Sequence, residues 1–431
     1  MSDLIEIASD GQLRLNLHKG QWQAWESQRR FVAVLAGTQS GKTSFGPLWL
    51  LREIEWRGPG DYIIATPTFP LLELKALPEF KRLFETYLGL GKYTGSPSRR
   101  FTFSKAGAKR LFRERYDPYL DTNVFFGYAA DPESLESATA KGAWLDEAGQ
   151  RKFKLGSWEA ILRRLALNQG RALITTTPYD LGWLKQKIWD RWKAGAPTID
   201  VIRFESTTNP RFSQKEFERA RADLPAWKFD LFYRALFTRP AGLIYDCFNE
   251  AVHKCPRFTI PQHWPRYLGL DFGGVNTAGV FYAEDPSARR PDFIKLYAYR
   301  EYLAGGRTAA DHAEALLKGE PGLEACVGGS LSEGQWRSEF RAGGLPVRPP
   351  ATREVEVGID RVYGAHKRGE ITVFEDMDGY LEQKMTYSRE LNETGEPTEE
   401  IEDKSDFHYM DAERYIIGWL KRPGQREAQA H

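Results

Sequence analysis

Eight consecutive residues, Ala36, Gly37, Thr38, Gln39, Ser40, Gly41, Lys42 and Thr43, have the types and order that hold a chain of phosphates. Gly37 and Gly41 allow tight turns that aim backbone N–H groups of the loop, Thr38, Gln39 and Ser40 included, at phosphate oxygens. Lys42 places a point charge on the β- and γ-phosphates, and the Thr43 hydroxyl can ligate Mg²⁺. The usual first glycine of such a loop is Ala36 here. About a hundred residues on, the apolar run 142–145 ends in Asp146 and Glu147. Asp146 suits the same Mg²⁺. Glu147 suits orienting and deprotonating an attacking water. A third set of carboxylates lies far downstream. Asp271 ends the apolar run 267–270, Glu333 starts a helical stretch, and Asp411 lies in the last one, with Asp406 and His408 nearby. Such carboxylates can flank two divalent ions, Mg²⁺ or Mn²⁺, and clamp both oxygens of a phosphodiester displacement. Plainer readings stay open for two of them: an Asx-turn for Asp271 and a helix-start carboxylate for Glu333.

The elements that must position these groups follow from hydrophobic patterning. Apolar runs at 31–35, 62–65, 123–127, 142–145 and 172–175 read as buried strands, and a helix is predicted over 44–56. Strands alternating with helices predict an α/β unit with a mostly parallel sheet, its ligand at the strands' carboxyl ends. The last run leads into Thr175, Thr176 and Thr177, hydroxyls placed to sense the γ-phosphate. Upstream, residues 17–23 open a helix in which Gln21 could read an adenine edge; a surface glutamine is the plain alternative. From Arg266 the pattern restarts. Strands at 267–274, 278–282 and 293–297 precede a helix at 308–318, a strand at 324–327, a helix at 333–342, a strand at 371–374 and a helix near 408–420. That order predicts an RNase H-like fold. The domains are read as 1–240 and 266–431, joined by a linker at 241–265.

The basic residues concentrate in the first half. Residues 1–240 hold 37 Lys and Arg against 27 Asp and Glu, and residues 241–431 hold 23 against 32. A basic half can attract a polyanion and an acidic half can hold metal ions. Residues 92–115 carry eight basic side chains and one acidic, Glu114, with Phe101, Phe103 and Phe112 interleaved. They suggest a hairpin with a basic face, either touching phosphates or merely solvated. No apolar stretch reaches membrane-spanning length. Three cysteines, Cys247, Cys255 and Cys326, form neither a disulfide framework nor a zinc pattern, which suits a reducing cytoplasm.

Taken in order, residues 35–43, 143–147, 175–178 with Gly182 and Trp183, 269–274 and 407–415 resemble the large terminase subunit of tailed bacteriophages. The resemblance covers nearly the whole chain. It implies an amino-terminal P-loop ATPase of the ASCE type and a carboxyl-terminal RNase H-like nuclease. It further implies a molecular motor that uses ATP to drive double-stranded viral DNA into a procapsid, and an endonuclease that cuts concatemeric DNA with two metal ions. The implied partners are the portal protein, the small terminase subunit and further copies in a ring on the capsid, the chain being a monomer in solution. No membrane is involved. The setting is the host cytoplasm, with no place in the mature virion. Asp271 and Asp411 match the family's first and last nuclease aspartates, Glu333 stands in for the middle one, and Gln21 becomes an adenine contact. The family's trans-acting arginine has no counterpart in Ser134, Leu135, Glu136 and Ser137. Arg163 and Arg164, on the helix after the acidic pair, are the substitutes, or else form a solvent- or DNA-facing basic helix. Two other readings stand beside this one: an ATP-driven helicase or repair enzyme with a fused nuclease, and a non-catalytic nucleotide-dependent DNA clamp.

Overall fold

The computed structural model describes residues 4–7, 13–96, 98–129, 139–179, 181–238, 242–273, 275–392 and 396–422. The stretch 134–137, where the missing arginine was sought, lies outside them. The chain divides into two compact units, Met1–Pro240 and Ala241–His431.

The first unit is built on an eight-stranded sheet. Its strands lie in the order Ile199–Phe204, Phe31–Ala36, Arg171–Thr176, Ala140–Asp146, Asp61–Thr66, Asn123–Tyr128, Arg100–Phe103, Gly91–Thr94. The first six run parallel; Arg100–Phe103 runs against them and Gly91–Thr94 runs against Arg100–Phe103. Parallel strands covered on both faces need no polar alternation, which is why Phe31–Ala36 is apolar throughout. Helix Lys42–Arg57 covers one face and helix Leu155–Ala166 the other, the latter through Trp158, Ile161 and Leu165. Ala36 is the last residue of its strand and has no positive φ, so a side chain is tolerated there. The basic stretch 92–115 is indeed a hairpin, but a helix, Lys105–Phe112, completes it. Its Phe101 and Phe103 are buried against Phe80 and Phe84, with Phe112 stacked on Phe103, and all three serve the core, while Lys92, Arg100, Lys105 and Lys109 face out.

In the second unit the strands order as Lys254–Cys255, Ile371–Phe374, Phe293–Gly305, Asn276–Arg290, Arg266–Phe272, Ala325–Gly328, Val347–Arg348. Three meandering antiparallel strands come first, and the fourth and fifth pair parallel beside the first of them. This third-second-first-fourth-fifth order is the RNase H-like arrangement. Gly269 is needed where the last helix, His408–Leu420, crosses the first strand: a Cβ there would lie 2.1 Å from the Ala412 carbonyl oxygen. The stretch read as a linker carries an edge strand, since Lys254–Cys255 pairs with Ile371–Phe374. Two helices, Val355–Lys367 and Asp378–Thr386, have no counterpart in the sequence reading. Among the described residues no helix is long and apolar enough to cross a membrane, and the three cysteines are free.

Candidate nucleotide and nuclease sites

Every carbonyl of the loop 36–41 is held from behind. Thr177 Oγ1 donates to Ala36 O at 3.2 Å, Lys42 Nζ to Gly37 O at 3.5 Å, and Ser206 Oγ to Thr38 O at 2.7 Å. Asn209 Nδ2 donates to Gln39 O at 2.8 Å, His18 Nε2 meets Ser40 O at 3.0 Å, and Gln21 Nε2 donates to Gly41 O at 3.1 Å. With the carbonyls turned back, the N–H groups turn forward. Among the described residues those of positions 39–44 make no hydrogen bond, and the helix that starts at Lys42 has no side-chain cap. Gly41 has φ +84°, the left-handed bend that turns the loop into the helix. Free N–H groups at a helix start form a cradle for an anion. The cradle is narrower than the sequence suggested. Gly37 N donates to Phe204 O and Thr38 N to Phe232 O, so these two residues hold the loop in place and do not face the cradle.

The acidic pair comes to the same place because strand Ala140–Asp146 ends beside the loop. Thr43 Oγ1 lies 3.1 and 3.3 Å from the Asp146 oxygens, so the two can share one Mg²⁺. Thr175 Oγ1, itself receiving Trp144 Nε1 at 2.8 Å, donates to Asp146 at 2.7 Å. Burial pushes the Asp146 carboxyl up to about 7, the Glu147 charge adds to this, and the Thr175 hydrogen bond and Lys42 charge oppose it. A bound cation would favour its ionised form. Glu147 is 4 % exposed and sits at φ +56°, a left-handed backbone unusual for glutamate. Its Oε1 lies 3.7 Å from Lys42 Nζ and 3.9 Å from Lys75 Nζ, and its Oε2 accepts the Tyr179 hydroxyl at 3.1 Å. Lys75 and Tyr179 were not anticipated. Neither carries a motif, and only the strand ends bring them here.

The geometry bears on three further expectations. Gln21 is 1 % exposed and its amide is engaged at both ends, by Gly41 O and by the His18 N–H at 3.2 Å. It braces the loop and presents no edge to a base. Gln21→Ala should therefore weaken inorganic triphosphate and ATP alike, by roughly 5–30-fold, the equivalent of about 1–2 kcal/mol for an orphaned carbonyl. Competitive titration of a fluorescent nucleotide reads both. A loss confined to ATP would restore the adenine role. Thr177 grips the loop through Ala36. Arg163 and Arg164 occupy the last turn of helix Leu155–Ala166. That turn lies at the sheet's amino end: Asn168 bonds Ala140 O, and Arg30 bonds Gly170 O. Strand Ala140–Asp146 separates it from the loop by about 20 Å, at roughly 3.3 Å per residue. Neither arginine can complete its own chain's site.

In the second unit, Asp271 and Asp411 converge because the last helix rests on the first strand. Each has a local partner. His408 Nδ1 lies 2.8 Å from Asp271 Oδ2, and Arg414 Nη2 donates to Asp411 Oδ1 at 2.7 Å. Burial raises the Asp271 carboxyl above its usual range, the charges of Asp411 and Glu333 add, and the His408 hydrogen bond opposes. Glu333 reaches back to the Ser330 N–H as a local turn brace. Among the described residues no three His, Cys, Asp or Glu stand close enough to hold a metal ion. The set Asp271, Glu333 and Asp411 thus does not fit a two-ion centre as placed.

No protein-family profile matches the chain. Over 286 residues it is 29% identical to the large terminase subunits of Thermus virus P23-45 and of Thermus phage G20c, covering 59% of this chain and 56% of each relative. The chain thus spans about half the length of the curated relatives it matches. The crystal structure of the HK97 bacteriophage large terminase is similar with a TM-score of 0.50 at 12% identity, covering 97% of this chain and 98% of that one. At that identity the likeness speaks for the fold alone.

Proposed function

The chain is a relative of the large terminase subunits, and on that premise we propose that it is a genome-packaging motor subunit. In this reading the first unit hydrolyses ATP to move double-stranded viral DNA into a procapsid, and the second cuts concatemeric DNA. The observation that carries it is the loop with its carbonyls tied back and its N–H groups free, facing Thr43, Asp146 and Glu147. Bound MgATP would supply the phosphoanhydride and the ion. The N–H groups of residues 39–44 and Lys42 bind the phosphates, and Thr43 and Asp146 hold the ion. Glu147 takes the proton of the attacking water. Thr175 on Asp146 and Thr177 on Ala36 tie this chemistry to strand Arg171–Thr176, a route by which turnover reaches the rest of the unit. An arginine from a neighbouring copy in a ring completes the site; Arg163 and Arg164 are candidates in trans only. Such a finger is worth roughly 10³–10⁵ in rate, so isolated copies turn over slowly. The portal protein and the small terminase subunit are the proposed partners, in the host cytoplasm.

The nuclease half of the proposal rests on the strand order and on Asp271 and Asp411; divalent metal ions are the proposed cofactors, with Glu333, turned to the Ser330 N–H, not counted among their ligands. Mn²⁺-dependent degradation of plasmid DNA and steady-state ATP hydrolysis test both halves. Asp271→Asn should lower cleavage at least ~100-fold and leave ATP hydrolysis within about twofold. Unchanged cleavage would remove Asp271 from the site. No ATP turnover by the wild-type chain at any concentration would overturn the motor reading.

A further inference from the structure

Lys75 has no place in the motifs that define the site, yet it reaches the group that must activate water. It sits on a π-helical turn, Leu72–Ala76, that follows strand Asp61–Thr66. Leu72 and Ala76 are buried and anchor this turn, while the Lys75 side chain is 49% exposed and extends to Glu147 Oε1 at 3.9 Å. A π turn shifts every later side chain around the helix axis, and such turns gather at functional sites. Glu147 is itself held in a left-handed backbone, with its N–H on Thr175 O at 2.6 Å. A costly backbone state persists only where the surroundings impose it. Three side chains engage its carboxylate: Lys42 and Lys75 on one oxygen, Tyr179 on the other.

Lys42 cannot stay. Its ammonium belongs to the phosphates once a triphosphate fills the cradle, and Glu147 then keeps two contacts. We propose that Lys75 is the positioning residue that, together with Tyr179, holds the Glu147 carboxylate in line for water attack after Lys42 has moved to the phosphates. This rests on the ATPase reading of the site. Lys75 lies at the solvent edge, where charge alone is heavily screened. Its effect is therefore one of geometry, and a longer cation at the same place can substitute for it.

Single-turnover and steady-state hydrolysis of radiolabelled ATP by the full chain tests this. Lys75→Ala should lower kcat by roughly 10–50-fold with KM within about threefold, the pattern of an interaction used in the transition state. Lys75→Arg should restore kcat to within about threefold. In a Glu147→Gln background Lys75→Ala should change the residual rate by less than about twofold, because the carboxylate it positions can no longer take a proton from water. Wild-type kcat in Lys75→Ala overturns the proposal. So does an equal loss in the Glu147→Gln background, or an Arg variant as slow as the Ala variant. A wild-type chain without turnover, by contrast, overturns the ATPase reading itself.

Discussion

Glu147→Gln should lower ATP hydrolysis by about 10²–10⁴-fold while leaving nucleotide bound at least as tightly as in the wild type. The amide keeps the shape of the side chain and its tolerance of φ +56°, so the turn after Asp146 is preserved. It keeps one oxygen, enough for Lys42 and Lys75 or for Tyr179 but not for both sides, and has no lone pair basic enough to take a proton from water. The binding half of the prediction comes from the neighbouring carboxyl. Burial lifts Asp146 to about 7, and the Glu147 charge is the next contribution in the same direction. Removing that charge lets Asp146 ionise at lower pH, and an ionised Asp146 beside Thr43 holds a divalent ion better. Affinity for a fluorescent ATP analogue in Mg²⁺ and the rate of phosphate release measure the two halves separately. Retained turnover would displace Glu147 as the base. Lost binding would mean that Glu147 shapes the cradle, with no need of a catalytic role.

The parts legible from sequence share a physical cause. Strands buried on both faces read as unbroken apolar runs, so Phe31–Ala36 and Arg171–Thr176 stand out, and with them the groups at their ends, Lys42, Thr43 and Thr175. Asp146 and Glu147 were legible for the same reason. The braces behind the loop were not. His18, Ser206 and Asn209 act only through contacts with a loop remote from them in sequence, and their own neighbourhoods look like ordinary caps and turns. Gln21 was noticed but given the wrong partner, because a chain position says nothing about whether an amide faces a cavity or a backbone. Arg163 and Arg164 stand away from their own chain's site for a related reason, which leaves a role in trans untouched. Twelve helical residues, Leu155–Ala166, carry the chain away from the acidic pair to the far end of the sheet. In the second unit the meander was legible because its strands alternate with clear turns. Helix Asp378–Thr386 was not, since its buried face is partly polar, with Lys384 and Thr386 beside Tyr380, Leu381 and Met385.

That polar face makes the second large prediction. Lys384→Met should destabilise the second unit by about 3–5 kcal/mol, a fall in melting temperature of roughly 6–20 °C. Lys384, Glu413, Tyr380 and His366 are all 0 % exposed. Lys384 pairs with Glu413 Oε2, and Glu413 Oε1 accepts the Tyr380 hydroxyl at 2.5 Å with His366 Nε2 3.5 Å away. The ammonium also lies 3.8 Å above the Tyr245 ring. Burial alone would raise the Glu413 carboxyl. The Lys384 charge and the His366 contact more than offset this and hold it at about 2, below its ordinary 4.5. Because the folded value is the lower one, this stabilisation is present above pH 4.5 and is lost as pH falls from there toward 2. Methionine fills the space of the lysine stem but leaves the carboxylate buried without its cation. Differential scanning calorimetry at neutral pH reads the loss, and the companion Lys384→Met with Glu413→Leu should recover much of it, since removing both charges removes the uncompensated one. A shift under about 1 kcal/mol in the single variant would mean that water or His366 already compensates Glu413. The consequence reaches function through one helix. His408, Asp411 and Glu413 all lie on His408–Leu420, and the buried pair fixes the rotation of that helix about the strand at Gly269. When the helix turns, Asp411 no longer faces Asp271, so plasmid cleavage by the Lys384→Met variant should fail at temperatures where ATP hydrolysis by the first unit continues.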